Sequence, residues 1–477
     1  MSVRRHRAFA GLVFLAVVLS ATVASAQGAL TNGANHVGVL ASAGQLDSWT
    51  FTATAGSAIV VSAAEIGGDS DLWPWVRIYA PNNALLASAY SSVTAQAAVT
   101  APQNGTYTVV VATNDSGNDA TGDYRITLAL VPGTPVVSAG DEGGPLTNGA
   151  NHAGSLFEGD LDQWTFDATA GSAIVVSAGE TGGDTAVWPW VRLYAPNGTL
   201  VASAYSQVVA QVAATASLSG TYTVLVSSND SGHDAVGNYQ ITLALIAGPT
   251  PVVPANDQGG PLTNGANHQG TLHVGDLDQW TFSATAGASA VVSVGEVGGD
   301  SAVWPWVRLY GPSGTLLASA YSQVVAQVAI TAPTAGTYTV VVSSNDSGND
   351  DTDDYQITLA LVPGPTPVVA VGDQGGPLIN GANHAGALHV GDLDQWTFDA
   401  TAGASVVVSV GEVGGDSAVW PWVRLYGPNG TLLASAYSQV VAQVAVTAPS
   451  TGRYTVLVSS NDSGNDCLLY TSPSPRD

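Results

Sequence analysis

Apolar and polar residues alternate with a period of two along much of this chain. Asp162, Trp164, Phe166 and Ala168 fall on one side of an extended segment, and Gln163, Thr165 and Asp167 on the other. Tyr222, Val224 and Val226 alternate with Thr221, Thr223 and Leu225; Tyr239, Ile241, Leu243 and Leu245 alternate with Gln240, Thr242 and Ala244. Successive side chains of a strand point to opposite faces, so this pattern predicts half-buried antiparallel strands. Clusters of Gly, Asn, Asp and Pro punctuate them about every 8–12 residues, and no segment sustains a helical period. The expectation is an all-β chain whose units hold about eight strands each, in a β-sandwich or jelly roll.

The pattern itself repeats. Leu146, Leu262 and Leu378 open equivalent segments 116 residues apart, and Leu30 opens the first. Each copy runs through NGANH, D-x-W-x-F, WPWVR, SAY and NDSG. The period far exceeds the roughly 20–50 residues of solenoid repeats, so a whole domain has been copied. The predicted modules are residues 27–133, 144–248, 260–364 and 376–466, the last truncated. Residues 135–144, 249–260 and 363–376 are rich in Pro, Gly and Asp. They predict semi-rigid linkers, with the modules as beads of limited swing. Agreement among such similar copies marks their ancestry rather than their function.

Two terminal segments stand apart. Residues 1–26 read as a signal peptide: Arg4, Arg5 and Arg7 precede an apolar run over residues 8–19, and Ala24-Ser25-Ala26 is a small-residue cleavage site. The run is too short to span a bilayer, and no later stretch is long and apolar enough, so the expectation is a secreted or cell-surface protein without membrane insertion. At the other end, register and composition change at Cys467, and residues 467–477 read as a translated sequencing-adapter tail on a longer natural protein.

Charge narrows the partners. Without the leader, 7 basic residues face 36 acidic ones, a net of −29, and lysine is absent. Such a surface repels nucleic acid and anionic lipid and favours cations. The lone cysteine, Cys467, leaves no disulfide within the chain, so each module must hold itself by its core. HExxH, G-x-S-x-G, a P-loop and a catalytic cysteine are all missing, and the expectation is a chain that is not an enzyme. His36, His152, His268 and His384 of NGANH read as turn residues whose rings bond a neighbouring carbonyl. The Asn345–Asp350 loop has calcium-loop residue types without EF-hand spacing, and reads as a turn.

One stripe in each module is a candidate ligand platform. Alternation places Trp188, Trp190, Arg192 and Tyr194 opposite the apolar Val187, Val191 and Leu193. Its equivalents are Trp73, Trp75, Arg77 and Tyr79; Trp304, Trp306, Arg308 and Tyr310; and Trp420, Trp422, Arg424 and Tyr426. Proline in the stripe predicts an edge strand or bulge. Exposed, these rings and the arginine suit a polysaccharide or an extended protein strand. The alternative is that they pack under a loop or against the next module, with arginine stacked on tryptophan.

The module resembles the bacterial pre-peptidase C-terminal domain. The residues that carry the likeness are GDLDQWTF from Gly159, Ala170-Gly171, LYAPNGTLVA from Leu193, GTYTVLV from Gly220 and YQITL from Tyr239, with their counterparts in the other copies. The resemblance implies a jelly-roll-like sandwich, non-catalytic and usually appended to secreted hydrolases, with relatives that bind collagen, polysaccharide or calcium. In calcium-binding relatives, acids of the leading linker meet acids of the first long strand. That implies candidate calcium ligands Asp141, Asp160 and Asp162; Asp257, Asp276 and Asp278; and Asp373, Asp392 and Asp394. The first copy keeps Asp47 but has Gln45 in place of the other acid. A plain acidic turn is the alternative. Two functions remain open: a multivalent binding or surface-presentation array, and the accessory region of a secreted hydrolase whose catalytic domain lies beyond the break.

Overall fold

The computed structural model describes residues 24–66, 72–181, 187–230, 232–233, 235–255, 257–297, 303–345, 348, 352–413 and 419–461. Residues 1–23, the greater part of the predicted signal peptide, and the tail, residues 467–477, lie outside them, as does most of the Asn345–Asp350 loop. Among the described residues every regular element is a strand, and no helix is long and apolar enough to cross a membrane.

The first module contains nine strands: β1 (Ser25–Ala29), β2 (Asn35–Leu40), β3 (Asp47–Ala53), β4 (Ala58–Glu65), β5 (Pro74–Tyr79), β6 (Leu85–Tyr90), β7 (Thr94–Thr100), β8 (Gly105–Thr113) and β9 (Gly122–Val131). They form a five-stranded sheet, β1-β3-β8-β5-β6, and a four-stranded sheet, β2-β9-β4-β7. The second and third modules repeat both sheets strand for strand. The ninth strand, beyond the eight expected, is β1. Its later counterparts, Gly143–Pro145, Gly259–Pro261 and Gly375–Pro377, come from the ends of the predicted linkers and pair in parallel with the Asp-x-Trp strand. β1 begins two residues before the predicted cleavage site, and Gly28 and Ala29, beyond that site, still pair with Trp49 and Thr50.

Inward-facing side chains of both sheets meet in one core per module. In the second, Trp164, Phe166, Tyr222, Val224 and Val226 from one sheet pack with Ile174, Val176, Tyr239, Ile241 and Leu243 from the other. A hydrogen-bonded chain runs through it: Trp164 Nε1 donates to the Tyr239 hydroxyl (2.8 Å), which donates to Asp162 Oδ2 (2.6 Å).

The fourth module departs from this plan. Its five-stranded sheet is present, but Ser405–Gly411 pairs with Val441–Thr447 alone. Residues 383–388, the counterpart of β2, form no strand. Among the described residues Ser405–Gly411 has one neighbour where Ala173–Glu180 has two, and Val406, Val408 and Val410 are only half-buried.

Modules are not separated beads. The four-stranded sheet of each packs its outer face on the five-stranded sheet of the next. Val60, Ala129 and Val131 meet Leu161, Tyr194 and Leu225; Val175, Ala244 and Ile246 meet Leu277, Tyr310 and Val341; Val291, Ala360 and Val362 meet Leu393, Tyr426 and Leu457. This second apolar layer is why Ala173–Glu180 is buried at every position rather than at alternate ones. The linkers lie back along their own modules: the amides of Val136, Val252 and Val368 donate to the carbonyls of Asn32, Asn148 and Asn264.

Candidate metal centre at the module junctions

The turn before each Asp-x-Trp strand is where linker, strand start and preceding module converge. Asp141, Asp160 and Asp162 bring carboxylate oxygens within 4.8 Å of one another. Asp160 and Asp162 are buried, 4% and 1% exposed. Asp160 Oδ1 accepts from the Leu161 amide, while Asp160 Oδ2 and Asp162 Oδ1 are buried without a hydrogen-bond donor. An orphaned buried carboxylate oxygen is costly, and a cation is the simplest group to satisfy several at once. Burial pushes all three acids up, and repulsion from neighbouring carboxylates adds to it at Asp141 and Asp162; Asp141 reaches about 7.

The third and fourth modules have the same core arrangement. Asp278 Oδ1 and Asp394 Oδ1 are buried and unpartnered. Asp257 lies against Asp276 and Asp278, and Asp373 against Asp392 and Asp394. The Asp394 carboxyl is pushed up to about 9 by burial and by the two neighbouring acids. All nine candidate ligands therefore converge as three clusters. In the first module the position of Asp160 is taken by Gln45, whose Nε2 donates to Asp47 Oδ1 at 2.8 Å, so an amide occupies the place of a second carboxylate.

Each cluster also touches the preceding module. Asn35 of the NGANH turn donates to Asp141 Oδ2 (3.1 Å) and Asp160 Oδ1 (3.3 Å). Asn151 donates to Asp257 Oδ2 at 3.0 Å, and Asn267 to Asp373 Oδ2 at 3.3 Å. Sequence reading picked out the acids and missed the asparagines; their signal was the repetition of NGANH itself.

The aromatic stripe is divided rather than displayed. Arg192, Arg308 and Arg424 are 2–3% exposed, and Tyr194, Tyr310 and Tyr426 are buried too, because the preceding module covers them. Each arginine donates from Nη1 to a glutamine of that module: Gln96 (2.9 Å), Gln211 (2.8 Å) and Gln327 (2.9 Å). Nη2 donates to Ser227, Ser343 and Ser459. Each guanidinium stacks on Trp190, Trp306 or Trp422 about 4 Å above the ring centroid. Burial brings each arginine down to about 10. A single exposed platform is thus excluded for these three stripes. In these three stripes the tryptophans, Trp188, Trp190, Trp304, Trp306, Trp420 and Trp422, retain partial exposure; in the first module Trp73, Trp75, Arg77 and Tyr79 all do. Nor does the stripe lie on a sheet edge: β5 and its counterparts pair on both sides, and proline takes the first strand position.

An open cleft of about 340 Å³ lies where Tyr205, Val209 and Gln211 of the second module face Trp306 and Asn345 of the third. Tyr205 is 63% exposed. The NGANH histidines also differ from expectation. His36, His152, His268 and His384 accept at Nε2 from the backbone amides of Thr31, Thr147, Thr263 and Ile379 rather than donating to a carbonyl. An accepting ring must be neutral, and burial lowers the first three accordingly.

Comparison with known proteins supplies the family. No curated protein matches the chain. Among solved structures, the pre-peptidase C-terminal domain of a Bacillus anthracis collagenase is similar at 20% identity over 22% of this chain and 95% of its own, with a TM-score of 0.17. The Aeromonas hydrophila periplasmic inhibitor of g-type lysozyme is 15% identical over 23% and 99%, with a TM-score of 0.19. A calcium-stabilised adhesin of an Antarctic bacterium is 17% identical over 92% and 97%, with a TM-score of 0.13. Residues 45–113, 276–344 and 392–460, the stretches from β3 to β8 and their counterparts, match the family described as bacterial pre-peptidase C-terminal domain.

Proposed function

We propose that the chain is a secreted, non-catalytic array that presents or binds extracellular targets, its jelly-roll-like modules stacked into a stiff column and clamped by a divalent cation at each junction. The observation that carries this reading is the junction itself. Apolar faces, an arginine–glutamine contact and an asparagine–aspartate contact recur at all three boundaries. Strand order supports the jelly-roll assignment, since β2-β9-β4-β7 and β3-β8-β5-β6 are the two sheets of that topology, with β1 added at one edge.

Calcium fits the first cluster: it takes six to eight oxygen ligands, several from carboxylates. Asp141, Asp160 and Asp162 would hold it, and its charge would offset the repulsion among them. A cation bound to the folded state alone raises stability with its concentration. The test is a thermal melt of the chain in chelator and in millimolar calcium. The expected result is a higher melting temperature in calcium, diminished by Asp160→Asn. Equal temperatures would remove the cation clamp from the proposal.

The junction cleft is the binding surface we favour. Tyr205 and Trp306 offer flat rings suited to sugar faces, and the acidic surround favours a neutral glycan or a cationic peptide over an anionic polymer. Retention on insoluble neutral glycans, compared with Tyr205→Ala, checks this. The matched family's description keeps a second reading in view, an accessory region of a secreted peptidase; the uninterrupted downstream reading frame decides between them.

A further inference from the structure

The three acidic clusters are not chemically alike. In the first, the residue after the β2 counterpart is Phe157, and Arg125 of the preceding module reaches over its ring (5.4 Å) and donates to the Glu158 carbonyl. In the other two, Phe157 is replaced by His273 and His389, and Arg125 by Gln240 and Gln356. The cation that partly compensates Asp141 and Asp160 is therefore gone. An imidazole stands in the cluster instead: His273 Nδ1 lies 3.6 Å from Asp276 Oδ2, and His389 Nδ1 lies 3.6 Å from Asp392 Oδ2. Both separations exceed a hydrogen bond but suit two ligands on one ion. With Asp257 and Asp373 they form two sets of one nitrogen and two oxygen ligands, each set within 4.8 Å.

Independent of the acid count, buried oxygens point into these sets. Asp276 Oδ2 and Asp278 Oδ1 belong to side chains only 4% and 1% exposed, and neither has a hydrogen-bond donor; Asp394 Oδ1, in a side chain 3% exposed, is likewise orphaned. The imidazoles are about half exposed, so each site opens to solvent on one side and leaves room for water.

We propose that Asp257–His273–Asp276 and Asp373–His389–Asp392 are sites for a borderline divalent cation of the zinc class, whereas the all-oxygen cluster Asp141–Asp160–Asp162 takes a hard cation. Imidazole with two carboxylates is a common zinc ligand set and a poor match for calcium, which takes oxygen. The inference rests on reading the junctions as cation sites, and it makes two of the three junctions zinc-responsive.

The experiment uses the whole chain, stripped with chelator and dialysed, then titrated separately with zinc and calcium by calorimetry. His273→Phe/His389→Phe reproduces the residue present at Phe157 and leaves every aspartate in place. The expected result is two zinc equivalents per chain, weakened about tenfold or more in the double variant because a strong nitrogen ligand is lost, with calcium binding at the first cluster unchanged. Zinc binding that persists undiminished in the double variant, or no zinc binding by the parent, overturns the proposal. A parent that binds zinc but shows no calcium response would instead overturn the calcium reading of the first cluster, so the two failures are distinguishable. Circular dichroism and the melting temperature of the chelated double variant confirm that it is folded.

Discussion

The outward face of the first module and that of the third are built from nearly the same strand, PWVRIY against PWVRLY. In the third module Arg308 and Tyr310 are buried, 3% and 5% exposed, beneath the second. In the first, Arg77 and Tyr79 are half-buried, and no described residue takes the place of Gln211. Arg77 still stacks on Trp75 at 4.1 Å, and its Nη2 lacks a partner because Ala112 stands where the third module has Ser343. The same side chains are interface in one copy and surface in another. Burial here is set by the neighbouring module, not by the local sequence.

The most damaging way to break that comparison is to keep the third and fourth modules apart. A Cβ on Gly295 would meet the Gly391 backbone nitrogen at 2.6 Å, whereas one on Gly411, the same position of the fourth module, would meet nothing nearer than a Val441 methyl at 3.3 Å. Gly295→Leu should cost about 1–3 kcal/mol by overpacking and expose the linker to protease. Gly411→Leu should leave melting temperature and proteolysis near those of the parent; equal damage from both would show that the contact is not what matters.

Next in size is the arginine pair. Arg308→Ala strands Gln211 and Ser343 in a buried contact and should cost on the order of 2 kcal/mol. Arg77→Ala removes a half-exposed side chain that reaches no other module, and should cost well under about 1 kcal/mol. Chemical denaturation of both variants measures the difference.

A further expected effect is on pH. In chelator, Asp141 has its carboxyl raised to about 7, above its ordinary value near 4. The stability that this group contributes is full below about 4 and is lost as pH rises through about 7. Melting temperature in chelator should therefore fall between pH 5 and pH 8, with Asp394, raised to about 9, extending the decline. Calcium should flatten the profile, and a chelated profile that rises with pH would contradict the buried-acid geometry.

Alternation alone placed the core side chains correctly. Tyr222, Val224 and Val226 do face one core, and Leu225 on the opposite face packs against the preceding module. The unbroken run AIVVSA in Ala173–Glu180 carried a further message, that both faces of that strand are covered. The acids at the strand start were also legible as a group, because Asp-x-Asp on a strand places both carboxylates on one side. The stripe stayed open between platform and packed face because Trp190, Arg192 and Tyr194 do share a face, yet period two says nothing of what covers it. Likewise, nothing local in NGANH shows that Asn35 reaches Asp141, 106 residues away.

By itself, the sequence determined the repeat, the strands, the inward residues and the acidic turns, since these follow from periodicity and nearby chemistry. Tertiary structure decided the rest: that linker ends become a parallel edge strand, that arginine and tyrosine are buried between modules, and that His273 and His389 join two of the three acidic clusters. Those outcomes depend on contacts between residues far apart in the chain. Such contacts arise only when one sheet lies flat on another, and a pattern of local period carries no record of its neighbour.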